Sequence, residues 1–259
     1  MANVPWHVEF DWDAEKTGII EIKLGFKLRN GSVTPIVPVA QLTVLKDWTP
    51  EQKAAAVVRV LRAGPFRQLL QIDYVAGSDD FKVKVRPNPP APWVGYREIH
   101  GFDKTDHNTG EGISGVEDDP PARRTRNMPS GVGFLVLAGE GTRRGGTVGL
   151  QLGREGPLVE AASFGRSDAE IVRELIDAFN EAYAPLGFRA LPKLPRVNLF
   201  LRESPGLSIA GVPCPLGIRA GARDAGFTTE MGYVLSDKSG GRHGKTGTGR
   251  DRTGRIRRR

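Results

Sequence analysis

Residues 20–28 run Ile20, Glu21, Ile22, Lys23, Leu24, Gly25, Phe26, Lys27, Leu28. Apolar side chains recur at every second position, the period of a strand that keeps one face dry and one face wet. Working outward, Asn30-Gly31 is a tight-turn pair, followed by a proline-broken extended stretch and a second strand-like run over 39–45. Thr49-Pro50-Glu51-Gln52 then supplies a capping hydroxyl, a proline at the first helical position and a Gln three residues after the cap. The helix so predicted carries Ala54, Val57, Val58 and Leu61 on one face and stops at Gly64-Pro65, because a proline disfavours helical geometry in the residue before it. Runs over 69–75 and 81–85 alternate on either side of Gly77-Ser78-Asp79-Asp80 and predict a hairpin.

The same grammar returns further along. Residues 132–138 are apolar, Val148, Leu150 and Leu152 alternate, and 158–164 is extended after the turn over 153–156. Ser167-Asp168-Ala169-Glu170 is a second capping box, and Ile171, Val172, Leu175, Ile176, Phe179 and Tyr183 follow at helical spacing until Pro185 and Gly187. Strands are predicted over 197–201 and 207–212, the latter ending against Pro213-Cys214-Pro215. The fold class is therefore α+β: two strand-strand-helix-strand-strand modules, 1–86 and 131–237. Duplication of one unit and convergence of two short α+β units both produce this order.

Between the modules, 87–130 is rich in Pro and Gly and lacks periodicity, far longer than a loop within a compact domain. It holds Trp93, Tyr96, Ile99 and Phe102, four large apolar groups for which a purely flexible spacer has little use. The expectation is an extended arm that docks these four on a partner. Glycine and proline together make 52 of the 259 residues, in keeping with many turns and long connections.

The net charge is +7, but it is unevenly placed. Residues 238–259 hold nine basic residues against the single acid Asp251, which leaves the rest of the chain at −1. This basic C-terminal tail, with Arg250, Arg252, Arg255, Arg257, Arg258 and Arg259, suits phosphates or an acidic patch on a neighbouring protein. The one cysteine, Cys214, excludes an internal disulfide framework and a zinc site of several thiolates. No apolar stretch approaches the roughly 18 residues of a membrane helix, and residues 1–13 lack a basic segment followed by an apolar one. A soluble chain, not exported by a conventional signal, is expected.

Candidate chemistry is sparse. His100, Asp103, Asp106, His107 and Glu111 are metal-capable donors in one stretch, though their spacing matches no ligand pattern. Gly244-Lys245-Thr246 lacks the upstream glycine of a phosphate loop, since Ser239 stands there, and the glycines 139–146 lack dinucleotide spacing. Gly112-Ile113-Ser114-Gly115 lacks a nucleophile-elbow glycine at Val116, and Asp118 with Asp119 faces the Arg123–Arg126 run as a surface charge pair. No catalytic constellation, cofactor site or metal site emerges, and the chain is expected not to be an enzyme.

The stretch 146–212, with its alternating strand pair, capped amphipathic helix over 167–183 and second strand pair, resembles the strand-strand-helix-strand modules of bacteriophage tail and related virion proteins. That resemblance implies a structural subunit of a ring, tube or shell, without cofactor or catalysis. The expectation is thus a virion component (tail, neck or head decoration), assembled in a host cytoplasm as a homo-oligomer with copies of itself and other assembly subunits. The alternative is a nucleic-acid-associated protein whose Arg-rich tail binds phosphates independently of sequence; no aromatic residues interleave the tail's basic ones.

Overall fold

A computed structural model of the chain describes residues 5–118, 130–192, 199–213 and 216–236. Among these, 16% are helical and 45% are in strands, so the α+β chain is dominated by sheet. In chain order the elements are β1 (Trp6–Phe10), β2 (Gly18–Leu28), β3 (Val37–Val44), α1 (Pro50–Ala63), β4 (Leu70–Asp73), β5 (Asp80–Val85), β6 (Tyr96–His107) and β7 (Gly112–Asp118). They continue with β8 (Ser130–Gly139), β9 (Thr147–Gln151), β10 (Val159–Ala162), α2 (Asp168–Tyr183), β11 (Ala190–Leu191), β12 (Gly206–Pro213), β13 (Ile218–Ala222) and β14 (Phe227–Leu235).

The helices start where local chemistry dictates. Thr49 Oγ1 accepts from the Gln52 backbone N–H at 3.4 Å, while the Gln52 side chain accepts from the Thr49 N–H at 2.9 Å. At the second helix the Ser167 N–H donates to Glu170 Oε2 at 2.9 Å. Each cap occupies backbone groups that a helix end otherwise leaves without a partner.

The strands form two seven-stranded antiparallel sheets, ordered β10-β9-β13-β7-β1-β5-β4 and β11-β12-β8-β14-β6-β2-β3. One pairing rule generates both. Counting strands within each half, the first pairs with the fifth and seventh, the second with the third and sixth, and the fourth with the fifth. The halves then exchange contacts: β7 pairs with β13, and β14 pairs with β6. Each sheet is therefore built from both halves, related by a pseudo-twofold axis, which is the arrangement expected of a duplicated unit. Helix α1 packs on β3 of one sheet and on β1, β4 and β5 of the other; α2 packs correspondingly on β10 and on β8, β11 and β12.

One hydrophobic cluster joins the sheets. Ile20, Ile22, Leu24 and Phe26 face into it, as the alternation over 20–28 predicts. Trp6 of β1 stacks on Phe102 of β6 at 6.2 Å between ring centroids and tilts against Tyr233 of β14 at 5.8 Å, so three strands from two halves and two sheets share one aromatic contact. Its Nε1–H donates to Ile99 O at 3.1 Å.

This architecture corrects the expected pair of modules and the arm between them. From Tyr96 onward the supposed arm consists of β6 and β7, strands in the interior of the two sheets. Ile99 and Phe102 are buried in the core, while Trp93 and Tyr96 pack on Phe66 and Phe26, with centroids 5.3 and 5.5 Å apart respectively. All four apolar groups are drawn onto their own chain, where leaving water stabilises them without a neighbour. The strand expected over 197–201 is also corrected: its described part, from Leu199, leads into turns over 200–203. Cys214, the segment 119–129 and the basic tail lie outside the described residues.

Candidate functional site

Two clusters of ionisable side chains sit on opposite faces of β6, because successive residues of a strand point to opposite sides. The inner cluster lies within the sandwich, under α1. Lys53 pairs with Glu111 Oε2 at 3.0 Å and also donates to Trp12 O. Lys104 pairs with Glu111 Oε1 and donates to Ser114 Oγ at 2.5 Å. Asp106 Oδ1 accepts from the Thr109 N–H at 2.9 Å. The two ammonium groups stand 5.6 and 5.1 Å from the centre of the Phe10 ring, the attractive side for a cation. Lys53, Lys104, Asp106 and Glu111 are all at most 3% exposed.

Burial disfavours charge, and the protonation equilibria move accordingly. Loss of hydration lowers Lys104 to about 7 and Lys53 to about 8, against the partial opposition of the Asp106 charge. The same loss raises Asp106, opposed by Lys104 and by the Thr109 hydrogen bonds.

The strand register places these residues against their counterparts in the other half. Lys104 and Asp106 of β6 lie opposite Ile22 and Ile20 of β2; Ala220 and Ala222 of β13 lie opposite Leu150 and Val148 of β9. Lys53 follows the Thr49 cap by the same interval as Ile171 follows Ser167. The second half thus fills with apolar side chains the positions that the first half charges.

The outer cluster lies on the far face of the second sheet. Lys23 of β2 contacts Glu230 of β14 at 2.8 Å, Asp103 of β6 at 3.3 Å, Thr105 Oγ1 at 2.8 Å and Glu21 at 3.5 Å. Burial raises Asp103 well above the usual carboxylate range, and a hydrogen bond to Glu230 reinforces this. Glu230 is lowered despite burial, through hydrogen bonds from Asp103, Lys23 and two backbone N–H groups. Those two donors are Phe200 N and Leu201 N, at 2.9 and 2.8 Å. Glu230 thereby ties the 200–201 backbone to β14. Leu199, with Phe134 and Val136, forms a small apolar cluster beside it. Phe200, 60% exposed, leans edge-on against His107 with its ring 5.6 Å from Lys23 Nζ.

The stretch of metal-capable donors is dispersed by this geometry. Asp103 belongs to the outer cluster and Asp106 and Glu111 to the inner one; His107 meets Phe200, and His100 Nε2 lies 3.3 Å from Thr34 O. Among the described residues no three His, Cys, Asp or Glu side chains are placed to hold a metal ion. No helix among them is long and apolar enough to cross a membrane.

The remaining candidate surfaces are sheet edges. Strands β3 and β10 are equivalent under the pseudo-twofold, and each ends a sheet. Just beyond each lies an exposed apolar side chain, Leu45 at 50% and Phe164 at 65%. Compared with protein-family models, curated proteins and solved structures, the chain matches none.

Sequence reasoning passed over Lys53, Lys104 and Glu230. For Lys53 a signal existed: it precedes Ala54 on the buried side of a helix, at the interval that places Ile171 in the other half. Lys104 and Glu230 carry no such mark, since charged residues in strands ordinarily face water.

Proposed function

We propose that the protein is a structural subunit of a large self-associating assembly, with a bacteriophage virion component (tail, neck or head decoration) as the specific form. The observation that carries this reading is the symmetric pair of edges, β3 with Leu45 and β10 with Phe164. An open edge offers backbone donors and acceptors to another strand, and an apolar side chain at its end adds area to bury. A single such edge stops at a dimer, whereas two equivalent edges let each copy join two neighbours and extend a ring or a filament. The two buried ion clusters fit this reading, since each ties strands of different elements into a stiff unit.

Size-exclusion chromatography with light scattering on the full chain tests it. The expected result is a mass of several chains that falls to at most two chains in Leu45→Lys or in Phe164→Lys and to one chain when both are changed, both being exposed sites where the change leaves the fold intact. A strict monomer at every concentration overturns the proposal. The second reading, sequence-independent phosphate binding, rests on the nine basic residues of 238–259. Duplex binding at low salt that disappears from a chain ending at residue 237 favours it.

A further inference from the structure

A buried ionic cluster usually costs more in lost hydration than its mutual attraction returns, and apolar residues of similar volume are often as stable or more so. This protein holds both solutions in one molecule. The second half closes the same strand pairings and the same helix contact with Ile171, Ala220, Ala222 and Met231, where the first half has Lys53, Lys104, Asp106 and Ser114. The topology therefore does not require charge at these places. Their specific arrangement is that of reactants: an amine and a carboxyl pressed together, a second cation on the carboxyl's other oxygen, and a further acid on the same strand face.

We propose that Lys104 and Glu111 react with each other to form an intramolecular amide bond, Lys104 Nζ to Glu111 Cδ, with loss of one water. The Lys104 ammonium first passes a proton to the Glu111 carboxylate, an exchange favoured where neither charge is hydrated. The amine lone pair then bonds to Cδ, giving a tetrahedral centre with the former carbonyl oxygen negative. Lys53, 3.0 Å from Glu111 Oε2, stabilises that oxygen. Ser114 Oγ, 2.5 Å from Lys104 Nζ and 3.5 Å from Glu111 Oε1, takes the surplus proton from nitrogen as it passes its own to the departing hydroxyl. Water leaves, the amide nitrogen keeps one hydrogen, and no oxidant or cofactor enters the balance. Ser114 Oγ, accepting from Lys104, holds the amine in line.

Two physical terms drive the reaction. Held in contact by the fold, the groups reach effective molarities that in well-oriented intramolecular reactions are about 10⁵–10⁸ M. The product also replaces two buried charges by one neutral amide, which removes the cost of desolvation. The burial that depresses Lys104 to about 7 supplies the free amine at neutral pH. The proposal is independent of whether the chain assembles.

Mass spectrometry of the denatured full chain with a tryptic map tests it. Trypsin cannot cut after an amidated lysine, so the expected product is one peptide spanning 98–123, uncut at Lys104 and lighter than its sequence by one water. Lys104→Met should restore the full mass. Glu111→Gln should yield the same cross-link with loss of ammonia. Separate peptides 98–104 and 105–123 at full mass in the unmodified chain overturn the proposal, and so does a water loss mapped to any other pair. The unmodified chain decides the matter even if either variant fails to fold.

Discussion

Ser114 of β7 and Met231 of β14 occupy equivalent positions in the two halves and touch each other, Ser114 Oγ lying 3.9 Å from Met231 Sδ. The register states the equivalence: Ser114 pairs with Ala220 as Met231 pairs with Lys104. The pseudo-twofold axis runs between them, and on its two sides the same backbone has been filled in two ways. A hydroxyl beside an ion cluster faces a thioether beside alanines, so the inner charges belong to one half only. Three outcomes follow from this asymmetry and from the cluster on the outer face, each open to a direct measurement.

Removing one partner from the inner cluster should cost far more than removing all of it. Glu111→Ala leaves two buried lysines facing one Asp106, and a loss of about 3–5 kcal/mol is expected from an uncompensated buried charge. Replacing Lys53, Lys104, Asp106 and Ser114 by their counterparts Ile, Ala, Ala and Met, with Glu111→Thr, should keep the fold and lose less than the single change. Urea midpoints with unchanged slopes would establish the order; a composite variant less stable than Glu111→Ala contradicts the equivalence of the halves.

The pH dependence of stability should carry the signature of Lys53. Its folded value of about 8 lies below the ordinary 10.5, so between these the unfolded chain holds a proton that the folded chain has released. Stability then rises with pH across that interval. Between pH 7.5 and 9.5 the contribution is about 2 kcal/mol, from roughly 1.4 kcal/mol per unit of difference. Thermal unfolding of the full chain and of Lys53→Met at both pH values checks it, and an equal slope in the two proteins excludes Lys53 as the source.

Glu230→Gln should loosen the loop that carries Phe200 before it loosens the sheet. The carboxylate holds the Phe200 and Leu201 N–H groups together with Lys23, and a hydrogen bond to a charged group contributes about 1.5–3 kcal/mol. Hydrogen exchange should accelerate at 200 and 201 while β6 and β8 stay protected. Exchange that rises equally across the sheet would show that Glu230 supports the strands and not the loop.

How much of this was legible in the chain depends on where each element's partners lie. The helices at Thr49 and Ser167 are written locally: the cap, the proline or acid after it and the apolar spacing act within a few residues, and both capping boxes form as their residue types require. Strand β2 is legible because one face is dry and its polar neighbours sit on the other. Strand β1 carries the same alternation, with Trp6, Val8 and Phe10 against His7 and Glu9, in a run of only five residues. Strand β6 defeats the pattern, since Phe102, Lys104 and Asp106 point inward while Asp103 and Thr105, equally buried, point outward. Polar groups on both faces read as a linker until their ion partners are in place.

Local chemistry therefore determined the two helices, the first hairpins and the repeated order of elements, because those features are settled by neighbours along the chain. Tertiary structure alone decided that the halves exchange strands, that 96–118 runs through the interior of both sheets and that Lys104 meets Glu111 beneath α1. The reason is physical. A charged residue is tolerated in a core only when its partners arrive from distant strands, and periodicity in one segment records nothing about which partners those are.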